Sequence, residues 1–204
     1  MAKTCCIIGA GAVTTLPVPK DAFVICADGG LSAAARFGVT PDLIVGDFDS
    51  LGEVPQGSNV VVHPVEKDET DSFLALRLGL EHGCDRFLFF GCLGGRLDHT
   101  LANIQHLHYL AERGAEGVLV GEHETLTAVK NGVLRFPAAQ TGGVSVFSLS
   151  DKSEGVSIKG LHYEAEGTTL TNRFPLGVSN RFEGREAVIS VENGTLLVVL
   201  RDEA

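Results

Sequence analysis

The sequence has no tryptophan, two tyrosines and one methionine in 204 residues, and aromatic residues make up only 6% of it. With 44% hydrophobic and 21% charged residues, this composition implies an aliphatic globular core and excludes a disordered chain. Positive charge is also scarce. The formal net charge is -10, which argues against a general nucleic-acid binder, because phosphate backbones demand a basic face. An acidic protein that handles phosphates usually does so through bound cations.

Other absences narrow the field further. No apolar run approaches the roughly 20 residues that span a bilayer. The opening MAKTCCIIGAGAV lacks the long apolar stretch of a signal peptide, so a cytoplasmic location is expected. The cysteines Cys5, Cys6, Cys26, Cys84 and Cys92 are odd in number, form no C-x-x-C pair and mostly sit in apolar runs. Buried reduced thiols are the expectation. There is no H-E-x-x-H, no Cys/His zinc spacing, no G-x-S-x-G elbow and no full Walker A sequence.

What is present falls into two parts. In the first ~125 residues short apolar runs alternate with helix-like segments. The runs are Thr4 to Ile8, Ala22 to Ala27, Leu43 to Val45, Val60 to Val65, Arg86 to Phe90 and Val118 to Val120. The helical segments LSAAARF, DSFLALRLGLEH and LDHTLANIQHLHYLAER are closed by Gly38, Gly83 and Gly114, as helix ends prefer. In the last of them Leu97, Leu101, Ile104 and Ala111 predict one buried stripe, with His106 and His108 on the surface or flank. The pattern predicts an α/β fold, a mainly parallel sheet with helices on both faces.

After Asn131 come VLRF, VSVFSL, VSIKGL, TTLTN, EAVISVEN and GTLLVVL, broken by glycine, asparagine and proline. They predict a small antiparallel β-sandwich or barrel of about 70 residues. Asn193-Gly194 between two apolar runs predicts a hairpin. The junction is expected at Ala128 to Gly132, giving domains at residues 1–130 and 131–204.

The acids of the first part collect at strand ends and helix starts: Asp28, Asp47, Asp49, Asp68, Asp71 and Asp98. In a parallel α/β sheet these places share the carboxyl edge, where ligands bind. Asp47 and Asp49 stand two apart, so in extended chain both side chains point to one face, a fitting pair for magnesium. A turn or N-cap role is the alternative for any single acid, and it suffices for Asp42 and Asp68.

Glycines accompany the acids: Gly29 and Gly30 after Asp28, and Gly94 and Gly95 before Arg96. They let a phosphate approach backbone amides, and Arg96 would bring a planar donor fork. Lys67 is a second cation or a solvated surface lysine; Thr70 and Gly95 complete the candidate nucleotide contacts. His99 could touch substrate. Gly9-Ala10-Gly11 starts a dinucleotide fingerprint whose third glycine is missing, Thr14 standing there, so a tight turn near a phosphate is the better reading.

Taken in order, ADGGLSAAARFGVTPDLIVGDFDSL, KDETDSFLAL, GGRLDHTLANI and later PLGVSNRF resemble the thiamine pyrophosphokinase (thiamine diphosphokinase) family. The resemblance implies a homodimer of subunits with an α/β catalytic domain and a β-sandwich, sharing active sites. It implies the reaction of ATP with thiamine to give AMP and thiamine diphosphate. It carries magnesium to Asp47, Asp49 and Asp71, and nucleotide and catalytic contacts to Asp28, Arg96 and Asp98. Either Asp71 or Asp98 would accept the hydroxyl proton. Ser179 and Asn180 resemble the residues that help hold thiamine from the partner subunit. Animal members place a tryptophan against the thiamine rings; with none here, Phe182 or Phe174 is the expected cover. The alternatives are a related enzyme acting on a hydroxymethyl pterin and a non-catalytic nucleotide- or thiamine-binding regulator.

Overall fold

The computed structural model describes residues 2–46, 60–62 and 69–202. The described strands form a large mixed sheet of ten and a smaller antiparallel sheet of four, accompanied by few helices. By its internal contacts the chain divides into two compact units, residues 1–106 with 117–122 and residues 107–116 with 123–204.

In the first unit the strands are β1 (Thr4–Ile8), β2 (Phe23–Ala27), β3 (Leu43–Gly46), β4 (Val60–Val62), β5 (Arg86–Phe90) and β6 (Glu116–Val120). Their spatial order is β6-β5-β1-β2-β3-β4. The pairings β5 with β1, β1 with β2, β2 with β3 and β3 with β4 are all parallel. TCCII and FVICA read as continuous apolar runs because all but their first residues are buried.

The helices are α1 (Gly30–Arg36), α2 (Asp71–Glu81) and α3 (Leu97–Glu112). Ala34 of α1 packs with Cys6, Ile8, Val24, Cys26, Ile44 and Phe90. Gly79 of α2 lies so close to Phe87 and Cys5 that an added Cβ would stand 2.6 Å from the ring. All five cysteines are free and buried, as expected. Asp42 accepts a hydrogen bond from the Val24 amide at 2.8 Å, a turn-forming role that accounts for it.

The stripe expected on α3 is corrected. Leu97 and Leu101 are 71% and 55% exposed, whereas Asn103, His106, Leu107 and Leu110 are buried. At 100° per residue the inward face is turned by about a third of a revolution from the aliphatic one. Two of its residues are polar, and both have reasons to be inside. Asn103 accepts from Ser72 at 2.9 Å and donates to the Cys92 carbonyl at 2.7 Å. His106, expected on the surface or flank, lies against the rings of Phe73 and Phe89.

The second unit carries β7 (Glu124–Lys130), β8 (Val133–Phe136), β9 (Gly143–Ser148), β10 (Lys152–Lys159), β11 (Ala165–Thr171), β12 (Gly177–Arg181), β13 (Ala187–Ser190) and β14 (Thr195–Arg201). One set runs β12-β9-β14-β7 and the other β11-β10-β13-β8, all pairings antiparallel. Between them Val144, Val146, Val156, Ile158, Leu161, Ile189, Leu196 and Val198 form an aliphatic core. The Asn193-Gly194 hairpin is a second correction. β13 pairs with β10 and β8, while β14 pairs with β7 and β9, so the chain changes sheet at this dipeptide. Gly194 takes φ +119, and its amide donates to Asn131 Oδ1 at 2.8 Å. The dipeptide permits a sharp turn, but the partners of the flanking strands decide where the turn leads.

Candidate active site

The carboxyl ends of β1, β2 and β5 surround a cleft of about 340 Å³ in the α/β unit. Its floor is backbone. The Gly9 amide donates to the Phe90 carbonyl at 2.8 Å and the Gly11 amide to the Gly91 carbonyl at 2.9 Å. Cβ atoms at Gly9 and Gly11 would stand 2.8 and 2.7 Å from the Gly91 oxygen, and one at Gly91 would stand 2.6 Å from the Gly9 oxygen. Only glycine permits three such approaches, and Gly91 also needs φ +64. The partial dinucleotide fingerprint is therefore one side of a glycine interlock lining the cleft.

Around this floor the fold gathers Asp28, Thr70, Asp71, Gly95 and Arg96. Asp28 follows β2 with φ 46, a left-handed conformation that aspartate tolerates better than most residues, and its amide donates to Val45 at 2.8 Å. Gly29 and Gly30 succeed it. Gly30 is pressed on the Ile8 carbonyl, with no room for a side chain. Thr70 is the N-cap of α2, accepting from the Phe73 amide at 3.3 Å, which brings Asp71 to the cleft. Gly94 and Gly95 take φ +76 and +67 just before α3.

Arg96 and Asp98 are a pair: Nε donates to Oδ1 at 3.1 Å and the terminal nitrogen to Oδ2 at 2.5 Å. Arg96 holds the Asp98 carboxyl down to about 2, and Asp98 in turn raises the guanidinium. Both side chains are well exposed. Arg96 lines the cleft, and Asp98 reaches it through Arg96.

Sequence reasoning passed over Ser72 and Asn103, which also line the cleft and are hydrogen-bonded to each other. A signal was available: Arg96, His99 and Asn103 have i, i+3, i+7 spacing, one face of a helix, and all three line the cleft. Asp47, Asp49, Lys67 and Asp68 lie outside the described residues. Among the described residues no three His, Cys, Asp or Glu side chains group as a metal site.

Ser179 and Asn180 belong to β12 of the sandwich unit. Ser179 takes φ 63 and its amide donates to Ser145 at 3.1 Å. Asn180 is buried and its side chain is spoken for: Oδ1 accepts from the Tyr163 and Arg181 amides, both at 2.9 Å, and Nδ2 donates to the Tyr163 carbonyl at 2.7 Å. Beside it opens a mostly apolar cavity of about 330 Å³. Phe182 does not face that cavity. It is 8% exposed and packs edge-on to Phe136 in the sandwich core, which removes it as a stacking ring. Phe174 is 66% exposed.

The sequence matches the thiamin pyrophosphokinase catalytic domain over residues 17–119 and the thiamin pyrophosphokinase vitamin B1 binding domain over residues 133–196. It is 26% identical to the thiamine pyrophosphokinase of Bacillus subtilis, over 97% of this chain and 98% of that one. The crystal structure of thiamine pyrophosphokinase from B. subtilis superposes with a TM-score of 0.88 at 25% identity, covering 99% of this chain and 100% of that one. A thiamin pyrophosphokinase structure from Geobacillus thermodenitrificans gives 0.83 at 25% identity, covering 98% of both chains.

Proposed function

The chain belongs to the thiamine pyrophosphokinase family, and we propose that the glycine-floored cleft of its α/β unit is where the family's reaction takes place. As a thiamine diphosphokinase it transfers the pyrophosphoryl group of ATP to the thiamine hydroxyl, giving thiamine diphosphate and AMP. Neither the pterin nor the regulator reading is favoured by these matches. The observation that carries the site assignment is convergence. Asp28, Thr70, Asp71, Gly95 and Arg96 come from three separated stretches of sequence and line one cleft.

In this reading residues 1–130 bind ATP and residues 131–204 bind thiamine. Backbone amides around Gly29-Gly30 and Gly94-Gly95 admit the phosphates, with Thr70 and Lys67 as further contacts. The carboxylate oxygens that Asp28 and Asp71 bring to the cleft are the hard donors magnesium takes, so the donor chemistry fits the metal. Asp47, Asp49 and Asp71 would hold it, and when bound it supplies neutralisation of charge on the transferred phosphates.

The remaining work is positioning. Arg96, aimed by Asp98, takes up charge as the bond to the α-phosphate breaks. Asp98 pairs with Arg96 and so aims it, and either Asp71 or Asp98 accepts the hydroxyl proton. The enzyme works as a homodimer in which Ser179 and Asn180 of one subunit serve thiamine in the partner's site. Five buried, reduced thiols fit a cytoplasmic location.

The test is incubation with ATP, magnesium and a panel of alcohols, reading AMP against ADP. Thiamine-dependent AMP is expected. ADP release, or no product with thiamine, sinks the assignment. Asp49→Asn and Asp71→Asn should each lower kcat by about a hundredfold or more with the fold intact. Near wild-type turnover in both would refute the metal set.

A further inference from the structure

Separated stretches of chain build the cleft of the α/β unit, and one buried side chain joins three of them. Asn103 lies in the second turn of α3 and is only 5% exposed. Its amide oxygen accepts from the Ser72 hydroxyl at 2.9 Å, and its amide nitrogen donates to the Cys92 carbonyl at 2.7 Å. Ser72 directly follows Asp71, and its hydroxyl lies 3.1 Å from that of Thr70, the N-cap of α2. Cys92 directly follows Gly91, whose oxygen accepts the Gly11 amide in the glycine floor. The helix that carries Asn103 starts immediately after Arg96. One amide therefore ties the first turn of α2 to the floor and to the helix behind Arg96.

The link depends on the amide itself. One contact requires an acceptor and the other a donor, and a primary amide offers both on one planar group. Leucine fills a similar volume and matches neither partner, leaving a buried hydroxyl and a buried carbonyl short of a bond. Packing alone would favour an aliphatic residue, as at Leu107 and Leu110 on the same inward face.

Resting on the functional reading above, which gives Thr70 and Asp71 their work in the cleft, we propose that Asn103 is a positioning residue. Through Ser72 it holds the first turn of α2, and with it Thr70 and Asp71, at a fixed distance from the glycine floor. In this role it contacts no substrate, since both ends of its amide are turned to protein. The Arg96 and Asp98 pair differs, because it is exposed and aims one side chain, not a helix end.

The full chain is to be compared with Asn103→Leu, Ser72→Ala and the double variant. AMP formation is measured at varied ATP and thiamine, with urea unfolding to fix the folded fraction. Asn103→Leu should lower kcat about tenfold and raise ATP KM about fivefold, with thiamine KM within about twofold of wild type. Ser72→Ala cuts the same link from its other end with little volume lost, and should move kcat and ATP KM the same way by about threefold. The double variant should fall within about twofold of Asn103→Leu, because both changes break one connection. A loss of stability alone removes active molecules and leaves ATP KM where it was. An unchanged ATP KM in both single variants therefore refutes the proposal while the enzyme assignment stands. A double variant whose loss is the product of the single losses refutes it too, as does a thiamine KM raised as far as that of ATP. If Asn103→Leu does not fold, Ser72→Ala alone decides by the same ATP KM. A wild-type chain that forms no AMP with thiamine overturns both readings.

Discussion

The α/β unit and the sandwich bury different chemistry. All five cysteines and His106 lie in the α/β unit, and burial pushes the Cys6, Cys26 and Cys92 thiols up to about 12 and His106 down to about 4. The buried polar residues of the sandwich are Ser145, Ser148, Ser153, Asn180 and Thr195, none of which titrates. Their cavities differ in the same sense. The cleft of the α/β unit is floored by glycine backbone and rimmed by acids and an arginine, whereas the sandwich cavity is walled mainly by aliphatic side chains, with Tyr163, Glu164, Thr168 and Asn180 among them. A nucleotide's phosphates need bare backbone and fixed charge; a flat organic cation needs a ring and apolar walls. Each unit offers one of these two kinds of surface.

This contrast can be broken at the glycine floor, where the largest effect is expected. Gly91→Ala sets a Cβ against the Gly9 carbonyl at a residue with φ +64, and should cost about 2–3 kcal/mol in denaturant unfolding. Gly94→Ala, at φ +76 in open space, should cost only about 1 kcal/mol. Equal costs would mean that contact at the floor is immaterial.

On the sandwich side, Asn180→Ala removes three hydrogen bonds and leaves the Tyr163 amide and carbonyl without their side-chain partner. A loss of about 1–2 kcal/mol is expected, together with a raised thiamine KM and an unchanged ATP KM. A change in ATP KM of the same size would show that the division of labour between the units is wrong.

A last test separates the units by pH. His106 titrates at 6.5 when unfolded and near 4 when folded, so the unfolded chain binds more protons between those values. Its contribution is fully present above pH 6.5 and is lost as pH falls towards 4. His106→Leu should flatten the stability profile there by up to about one proton. An unchanged slope in the variant would exonerate His106 as the source of acid sensitivity.

Much of the first unit was legible because it is written in local signals. β1 and β5 lie where their apolar runs predict, and Gly38, Gly83 and Gly114 follow the three helices with φ +67, +76 and +71. Asp28 could be placed at the carboxyl edge of the sheet because parallel strands share a direction. Asn103 was missed because a count of aliphatic positions gives no weight to a buried amide, although that amide has two partners inside. Phe182 was misread because its ring looked available in sequence, while Phe136 and the sandwich core enclose it.

The sequence by itself determined the family and where β1, β5 and the three helices lie. Those depend on neighbours within a turn or a strand, and on motifs read in order. Only the tertiary structure decided which face of α3 turns inward, that Asn193-Gly194 changes sheet, and that Phe174 stands open while Phe182 does not. Each of these outcomes is set by partners far away in sequence. Asn103 faces inward because Ser72 and the Cys92 carbonyl await it, and β14 leaves β13 because β7 and β9 offer it two ladders.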